Sequence, residues 1–462
     1  MGSLVMRSTV ALLVGLVSCT AGGNAPIEAA AEPAATGVKN IIFFIGDGMG
    51  PQQIGLLELY AHRAPGSIYA GQPTTLETIM DASVMGLSRH DPAEALVVDS
   101  ACSASQLASG QPVLSEVISL DVHGQPVETV LERASKLGRA TGLVSDTRIT
   151  HATPAAFAAH VPHRDMENEI AVQLLETAPD VMLSGGIRYF LPQDVNDSES
   201  GAKPRMERLT QGAISPIKSK RKDDRNLLFE ARDAGYDLAF SREMLDAAGD
   251  KVLGLFAYSG MLDGIAHHAD DPARTEPSLA EMTTAAISRL SKDEDGFFLM
   301  VEGGQIDWAA HSNDAGTMLH EMVKFDEALA AAWEWAEGRD DTLIVITADH
   351  ETGGFGLSYS RADVPVPRVI PGGAFEAAPY QPGFNFGAPA QLDGLYAQKQ
   401  SFYALIAEFG GLPEGEQTAE RLQSMFNAVS EFPITKAQAA AVMANEPNAY
   451  RVEGHGTLSV ET

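Results

Sequence analysis

The sequence predicts an α/β fold: a central, mostly parallel sheet with helices on both faces and a cap-like insertion. Three observations predict it. Short apolar runs recur along the chain, amphipathic stretches lie between them, and polar residues of metal-binding type closely follow several of the runs. A continuous apolar run marks a strand buried on both faces. Strands that alternate with helices imply a parallel sheet, whose chemistry gathers at the carboxyl ends of its strands.

Taken in order, the predicted strands cover residues 40–45, 142–144, 181–183, 252–257, 297–301 and 343–346. Helical spacing is clearest over 127–137, 279–290 and 316–335. Two segments break the rhythm. Residues 194–225 are polar and contain the basic cluster Lys218-Ser-Lys-Arg-Lys222, which reads as a solvated loop. Residues 358–389 are rich in Pro, Gly and aromatics, and helical patterns follow over 393–445; the whole of 358–450 reads as an insertion that caps or flanks the site.

The N-terminus predicts export. Arg7 precedes the apolar run 10–17, which is too short to be a permanent membrane anchor. Leu16-Val-Ser-Cys19 resembles a bacterial lipobox, so residues 1–18 are expected to be a signal peptide and Cys19 an acylated N-terminus. Residues 19–37 would then be a flexible tether and 38–462 the main folded domain, in a periplasmic lipoprotein. A simple secretory signal cut near Ala29-Ala-Ala31 is the alternative, with a secreted product. With Cys19 so assigned, Cys102 stands alone and no intramolecular disulfide can form.

At 462 residues the chain is long enough for a large core, as two average domains or one large one. Its 62 acidic against 32 basic residues give a net charge of −30, which argues against nucleic acid or anionic membranes as partners. Such a field also repels phosphate, so any anion site must be made locally positive by metals or arginine.

The chemistry is concentrated in five segments. In Glu302-Gly-Gly-Gln-Ile-Asp307-Trp-Ala-Ala-His311, Asp307 and His311 are four apart, hence on one helix face, and can grip one cation. Carboxylate plus imidazole suits zinc or a similar ion. Thr347-Ala-Asp349-His350 repeats the pairing at another strand end. Gly46-Asp47-Gly-Met-Gly50 follows the first strand; its glycine spacing and Pro51 exclude a dinucleotide fingerprint, and Asp47 reads as a metal ligand. Asp99-Ser100-Ala opens a helix of small residues, whose N-terminus favours an alkoxide or a phosphate; a plain helix cap at Asp99 or Ser100 is the alternative. Thr150-His151-Ala-Thr153-Pro-Ala-Ala leads through His160 and His163 to Arg164, whose guanidinium can hold two phosphate oxygens. His160 and His163 read as structural histidines. His267 and His268 form a tempting extra metal pair, for which a surface loop is the plainer reading.

These segments, in this order, resemble the alkaline phosphatase family over about 40–354. The resemblance implies that Ser100 is a nucleophile that carries a phosphoryl group transiently, with Arg164 holding the non-bridging oxygens. It implies one zinc on Asp307, His311 and a late histidine, a second zinc on Asp47, Asp349 and His350, and a magnesium bridged by Asp47 and completed by Thr153 and Glu302. His455 is the one histidine after His350, and Glu453-Gly-His455-Gly-Thr departs from the family's Gly-His-Thr by the inserted Gly456. Members usually continue for a further strand and helix where this chain stops at Thr462, so looser folding or weak binding of the first zinc is the expectation. His151 replaces an aspartate that some members place beside the magnesium, and Trp308 replaces the lysine of the enteric type. Weaker magnesium binding at the third site is the expected result.

The function so implied is hydrolysis of phosphate monoesters through phosphoserine at a site of two zinc ions and one magnesium, with small phosphate monoesters as substrates. A phosphodiesterase of the same superfamily is the near alternative. A lipid-anchored protein that binds metal or phosphate without turnover is the alternative from another class. A second copy of the chain, as a homodimer, is a further candidate partner.

Overall fold

The computed structural model describes residues 37–444 apart from 270, 272 and 377. The main compact unit begins at Val38. The lipobox, Cys19, the tether and His455 lie outside the described residues.

Seven strands form one sheet: β1 (Asn40–Gly46), β2 (Ala140–Arg148), β3 (Val181–Gly185), β4 (Asp237–Ala239), β5 (Val252–Leu255), β6 (Phe297–Gly303) and β7 (Thr342–Ala348). Their order is β4-β5-β3-β2-β6-β1-β7, and every pairing is parallel. The predicted fold class is the observed one. Burial on both faces drives it. In β6, Phe297, Leu299 and Val301 enter one core, while Phe298 and Met300 enter the other. The first core lies beneath helices Pro51–Arg63, Leu279–Leu290 and Ala315–Ala336. The second lies beneath Ser100–Ser109, Ala152–Ala158 and Glu167–Thr177.

Three expectations need correction. Strand β4 was invisible in the sequence because Asp-Leu-Ala is too short to form an apolar run. Strand β7 reads as buried, yet it is one of the two edge strands among the described residues, and Leu343 is 45% exposed. The basic cluster 218–222 is not simply solvated. Arg221 is buried and donates to the Asn168 and Tyr189 carbonyls while pairing with Asp223 at 2.7 Å. Its three lysine neighbours face water, so the segment is pinned at one residue.

The late helical region comprises Ala390–Tyr396, Phe402–Gly410, Ala419–Val429 and Lys436–Met443. It carries its own small core of Leu405, Phe409, Leu422, Phe426 and Ala439. Between β7 and this region the chain is mostly irregular, with isolated bridges Ser360–Asn385 and Arg368–Tyr380. Among the described residues, no helix is long and apolar enough to cross a membrane.

One buried ionic contact fixes the long helix Ala315–Ala336 to the sheet. Lys324 Nζ lies 3.0 Å from Asp146 and 2.5 Å from Glu321, with all three side chains buried. The two carboxylates hold the Lys324 ammonium well above its usual range even though burial opposes the charge. Asp146 also accepts from Gly304 N–H, and Glu321 from Gly264 N–H. Removing the cation would strand two buried carboxylates. Lys324→Met is therefore expected to cost about 3–5 kcal/mol, as for other broken buried ion pairs, and urea unfolding measures it.

Candidate active site

The four neighbouring strands β2, β6, β1 and β7 end side by side. Gly46 of β1 is in register with Gly303 and Ala348, and Ser145 of β2 with Glu302. A parallel sheet thus brings residues far apart in sequence to one rim.

Strand β1 delivers Asp47, which is fully buried. The turn after it needs Gly48. Its φ is +70°, and a Cβ there would lie 2.9 Å from Asp307 Cα. Both the left-handed backbone and the close approach demand glycine. Strand β7 delivers Asp349 and His350. Asp349 accepts from Gly48 N–H at 3.0 Å and from the Ser103 hydroxyl at 3.2 Å. Strand β6 carries Glu302 as its penultimate residue, and the helix Gln305–His311 follows. On that helix His311 Nε2 is 3.4 Å from Asp307 Oδ1, the same oxygen that accepts from the Thr352 hydroxyl at 2.6 Å.

Ser100 opens the helix Ser100–Ser109, but Asp99 is the cap: its carboxylate accepts from Ala101 N–H at 3.0 Å. The Ser100 hydroxyl is left for other partners. It lies 3.3 Å from Asp47 Oδ1 and 3.2 Å from His350 Nε2. Arg164 donates to Asp99 at 3.1 Å and to His151 Nε2 at 3.2 Å. Burial pushes the Asp99 carboxyl up, but the Glu116 N–H and the Arg164 charge bring it below its ordinary range.

A second group gathers beneath Asp47. Glu302 Oε2 accepts from the Ser145 and Thr147 hydroxyls. Its other oxygen, Asp47 Oδ2, Thr153 Oγ1 and His151 Nδ1 are all buried, and none has a hydrogen-bond partner among the described residues. Burial, then the charges of Asp349, Asp307 and Glu302, raise the Asp47 carboxyl well above its usual range. Burial above all pushes Glu302 up to about 8. Such orphaned atoms are rare in native interiors. Oxygen and imidazole donors crowded in this way fit divalent cations. Two triads have ligand atoms within 4.8 Å of one another: Asp47, Asp349 and His350, and Asp47, His151 and Glu302.

His151 differs from the other members of these triads. Its Nε2 accepts from Arg164, so the neutral ring carries its proton on Nδ1. Burial and the Arg164 and Arg148 charges keep it neutral, well below the usual histidine range. To ligate through Nδ1, it must release Arg164. His160 spans the Ser119 carbonyl and Glu132, and His163 faces Glu116 on the surface, both outside the cluster. Trp308 stacks edge-on to His151 at 5.8 Å and faces the Arg148 guanidinium at 5.8 Å.

Several contributors were missed in the sequence. Thr352 links Asp307 to His350 Nδ1, and Gln53 holds the Thr352 carbonyl. Ser145 and Thr147 support Glu302. Buried Arg148 pairs with Glu167 at 3.0 Å beside Trp308. Thr352, two residues beyond His350, was within reach of inspection; hydroxyls inside an apolar strand carry no comparable signal.

The alkaline phosphatase profile matches residues 38–455. The chain belongs to the alkaline phosphatase family. Alkaline phosphatase 3 of Bacillus subtilis is 36% identical over 345 residues, 74% of this chain and 67% of that protein. Repressible alkaline phosphatase of Saccharomyces cerevisiae is 35% identical over 372 residues, 76% of this chain and 61% of that protein. The matched part therefore spans about two thirds or less of these relatives. Thermus thermophilus alkaline phosphatase superposes with a TM-score of 0.72 at 27% identity, over 88% of this chain and 74% of that one. A histidine-to-aspartate variant of the TAB5 alkaline phosphatase, described with Mg bound in the M3 site, gives 0.57 at 25% identity, over 76% and 87% of the two chains.

Without cations the raised carboxyls make stability depend on pH. Glu302 binds its proton more tightly folded than unfolded, so its contribution is full below its ordinary 4.5 and is lost as pH rises through about 8. Metal-free protein is expected to melt at progressively lower temperature across that window. Adding zinc and magnesium at pH 8 should restore several degrees, as read by calorimetry. A melting temperature indifferent to both would contradict cation binding here.

Proposed function

We propose that the protein hydrolyses phosphate monoesters by two successive in-line displacements through a phosphoserine on Ser100. The observation that carries this reading is the placement of the Ser100 hydroxyl: 3.2–3.3 Å from His350 and Asp47, at the rim of a carboxylate cluster that calls for cations. Asp47, Asp349 and His350 would hold one zinc, Asp307 and His311 another, and Asp47, Glu302 and Thr153 a magnesium. When bound, these ions would offset charge on the serine oxygen, the departing alcohol oxygen and the phosphoryl oxygens. His455, outside the described residues, would complete the Asp307 site.

The chain's own residues do the rest. Asp99 caps the helix and keeps Ser100 at its N-terminus, where the partial positive charge favours the developing alkoxide. In the first displacement, the Ser100 oxygen bonds to phosphorus as the bond to the substrate alcohol breaks. In the second, water replaces the serine oxygen and inorganic phosphate leaves. Arg164 holds the non-bridging oxygens through both. The Asp99 contact aims the guanidinium, and His151 steadies its other arm. His151 is a positioning residue in this reading as long as Arg164 engages its Nε2. The resemblance in sequence to named alkaline phosphatases supports the same activity. Export, with an acyl anchor on Cys19, is part of the proposal.

Ser100→Ala is expected to lose on the order of 10⁴-fold or more in turnover while retaining its metals. Arg164→Ala should lose roughly 10²–10³-fold. Acid-quenched wild type should yield phosphoserine at position 100, and the Ser100 variant none. A wild type that hydrolyses a nitrophenyl diester much faster than the monoester would overturn the choice of substrate.

A further inference from the structure

His267 and His268 take no part in the strand-end cluster. They close the short helix Gly264–His268, which packs on the long helix Ala315–Ala336. There they meet His320 and Glu327. One ligand atom each from His267, His268 and Glu327 lies within 4.8 Å of the other two.

The hydrogen bonds around them fix the protons. His320 Nε2 lies 2.9 Å from the Tyr396 carbonyl, which can only accept, so that nitrogen carries the proton. Burial holds His320 down to about 4, so the ring is neutral and its Nδ1 is a bare acceptor. His268 Nδ1, 3.0 Å away, must therefore donate to it. With Nδ1 so engaged, His268 turns Nε2 toward Glu327 Oε1 at 3.5 Å, and a neutral ring would present its lone pair there. This nitrogen is buried and has no hydrogen-bond partner among the described residues. An unpartnered ring nitrogen beside a carboxylate is an arrangement that a divalent cation between them would satisfy. A ring whose other N–H is tied to a fixed acceptor is also how metal-binding histidines are held.

We propose that His267, His268 and Glu327 form a further divalent-metal site that clamps the helix Gly264–His268 to the long helix. Two imidazoles and one carboxylate select zinc, nickel, cobalt or copper over magnesium or calcium. Bonds of about 2.0–2.2 Å separate tetrahedral ligands by roughly 3.3–3.5 Å; His268 Nε2 and Glu327 Oε1 are already 3.5 Å apart, and half-exposed Glu327 has room to adjust. Arg274 opposes the site, because its guanidinium donates to His267 Nδ1 at 3.3 Å. Its charge is shared with Glu281 at 3.6 Å, and it also donates to the Glu276 carbonyl. His267 is consequently the weaker ligand, and His268 with Glu327 is the anchor.

The test is equilibrium dialysis of the zinc- and magnesium-loaded protein against micromolar zinc, with metals counted by mass spectrometry. Wild type is expected to hold one zinc per chain more than His268→Ala, with equal phosphatase turnover. Glu327→Gln, a change at a half-exposed surface position, should weaken that extra zinc at least tenfold, and His267→Ala should weaken it less. Equal zinc counts in wild type and both anchor variants overturn the proposal. So does a wild type whose His268 merely titrates as an imidazolium paired with Glu327, by NMR, with no zinc taken up.

Discussion

Mutual repulsion among carboxylates buried at the ends of adjacent parallel strands is the constraint on which this structure turns. Asp47, Glu302, Asp307 and Asp349 are drawn together by the register of β1, β6 and β7, and burial denies them water. Removing a charge from water costs several kcal/mol even after relaxation. The fold tolerates the cluster because hydroxyls and backbone N–H groups approach each member: Ser145 and Thr147 at Glu302, Thr352 at Asp307, Gly48 and Ser103 at Asp349. Asp47 receives least. One of its oxygens meets Ser100 and the other meets nothing among the described residues. The residue that both triads share is thus the one the protein leaves most in need of a cation.

The supports around the cluster come from both layers of the fold. Gln53, on a helix of one layer, holds Thr352, and Thr352 joins Asp307 to His350. Gln305 donates to the Asp146 and Met261 carbonyls, and Lys324 pins Asp146 from the long helix. On the other face the small-residue helix Ser100–Ser109 packs on Ala152–Ala158, which fixes Ser100 relative to Thr153. A volume change in either interface would move one side of the site against the other. This explains why alanine and serine dominate those two helices: a larger residue at Ala101, Ala104 or Ala155, all fully buried, has no space to enter.

How much of this was legible follows from how each signal is written in a chain. Apolar runs such as 40–45 and 297–301 announce strands because they are buried on both faces, and the residues after them announce the rim. The pair at 307 and 311 was legible because helical spacing is local. Strand β4 was not, since Asp237–Ala239 gains its place from its neighbour β5 and not from its own composition. The burial of Arg221 was not, since its partners are carbonyls at Asn168 and Tyr189, and no sequence pattern marks a carbonyl in need. The exposure of β7 was hidden for the converse reason: an apolar run shows what a strand can bury, not what covers it. The roles of Asp99 and Ser100 could be read either way until the structure gave the cap to Asp99 and freed the serine.

A net charge of −30 is hostile to the phosphate substrate of the proposed function. The local arrangement resolves the conflict. Screening at physiological ionic strength limits exposed charges to about 8 Å, so the acidic surface sets solubility while nearby groups set the potential at the site. There Arg164 and Arg148 flank His151, and their charges help keep that ring neutral. Glu167 pairs with Arg148 at 3.0 Å and Asp99 with Arg164 at 3.1 Å. A histidine in that position adds no negative charge where an aspartate would. The chain thereby trades one carboxylate near the Glu302 pocket for a ring that steadies Arg164. Under the proposed function, the arginine that would hold phosphate is itself held on two sides, and a third cation would have fewer anionic ligands. In that proposal, a steadier grip on the oxyanion and a weaker third-metal site would both follow from having His151 at this position.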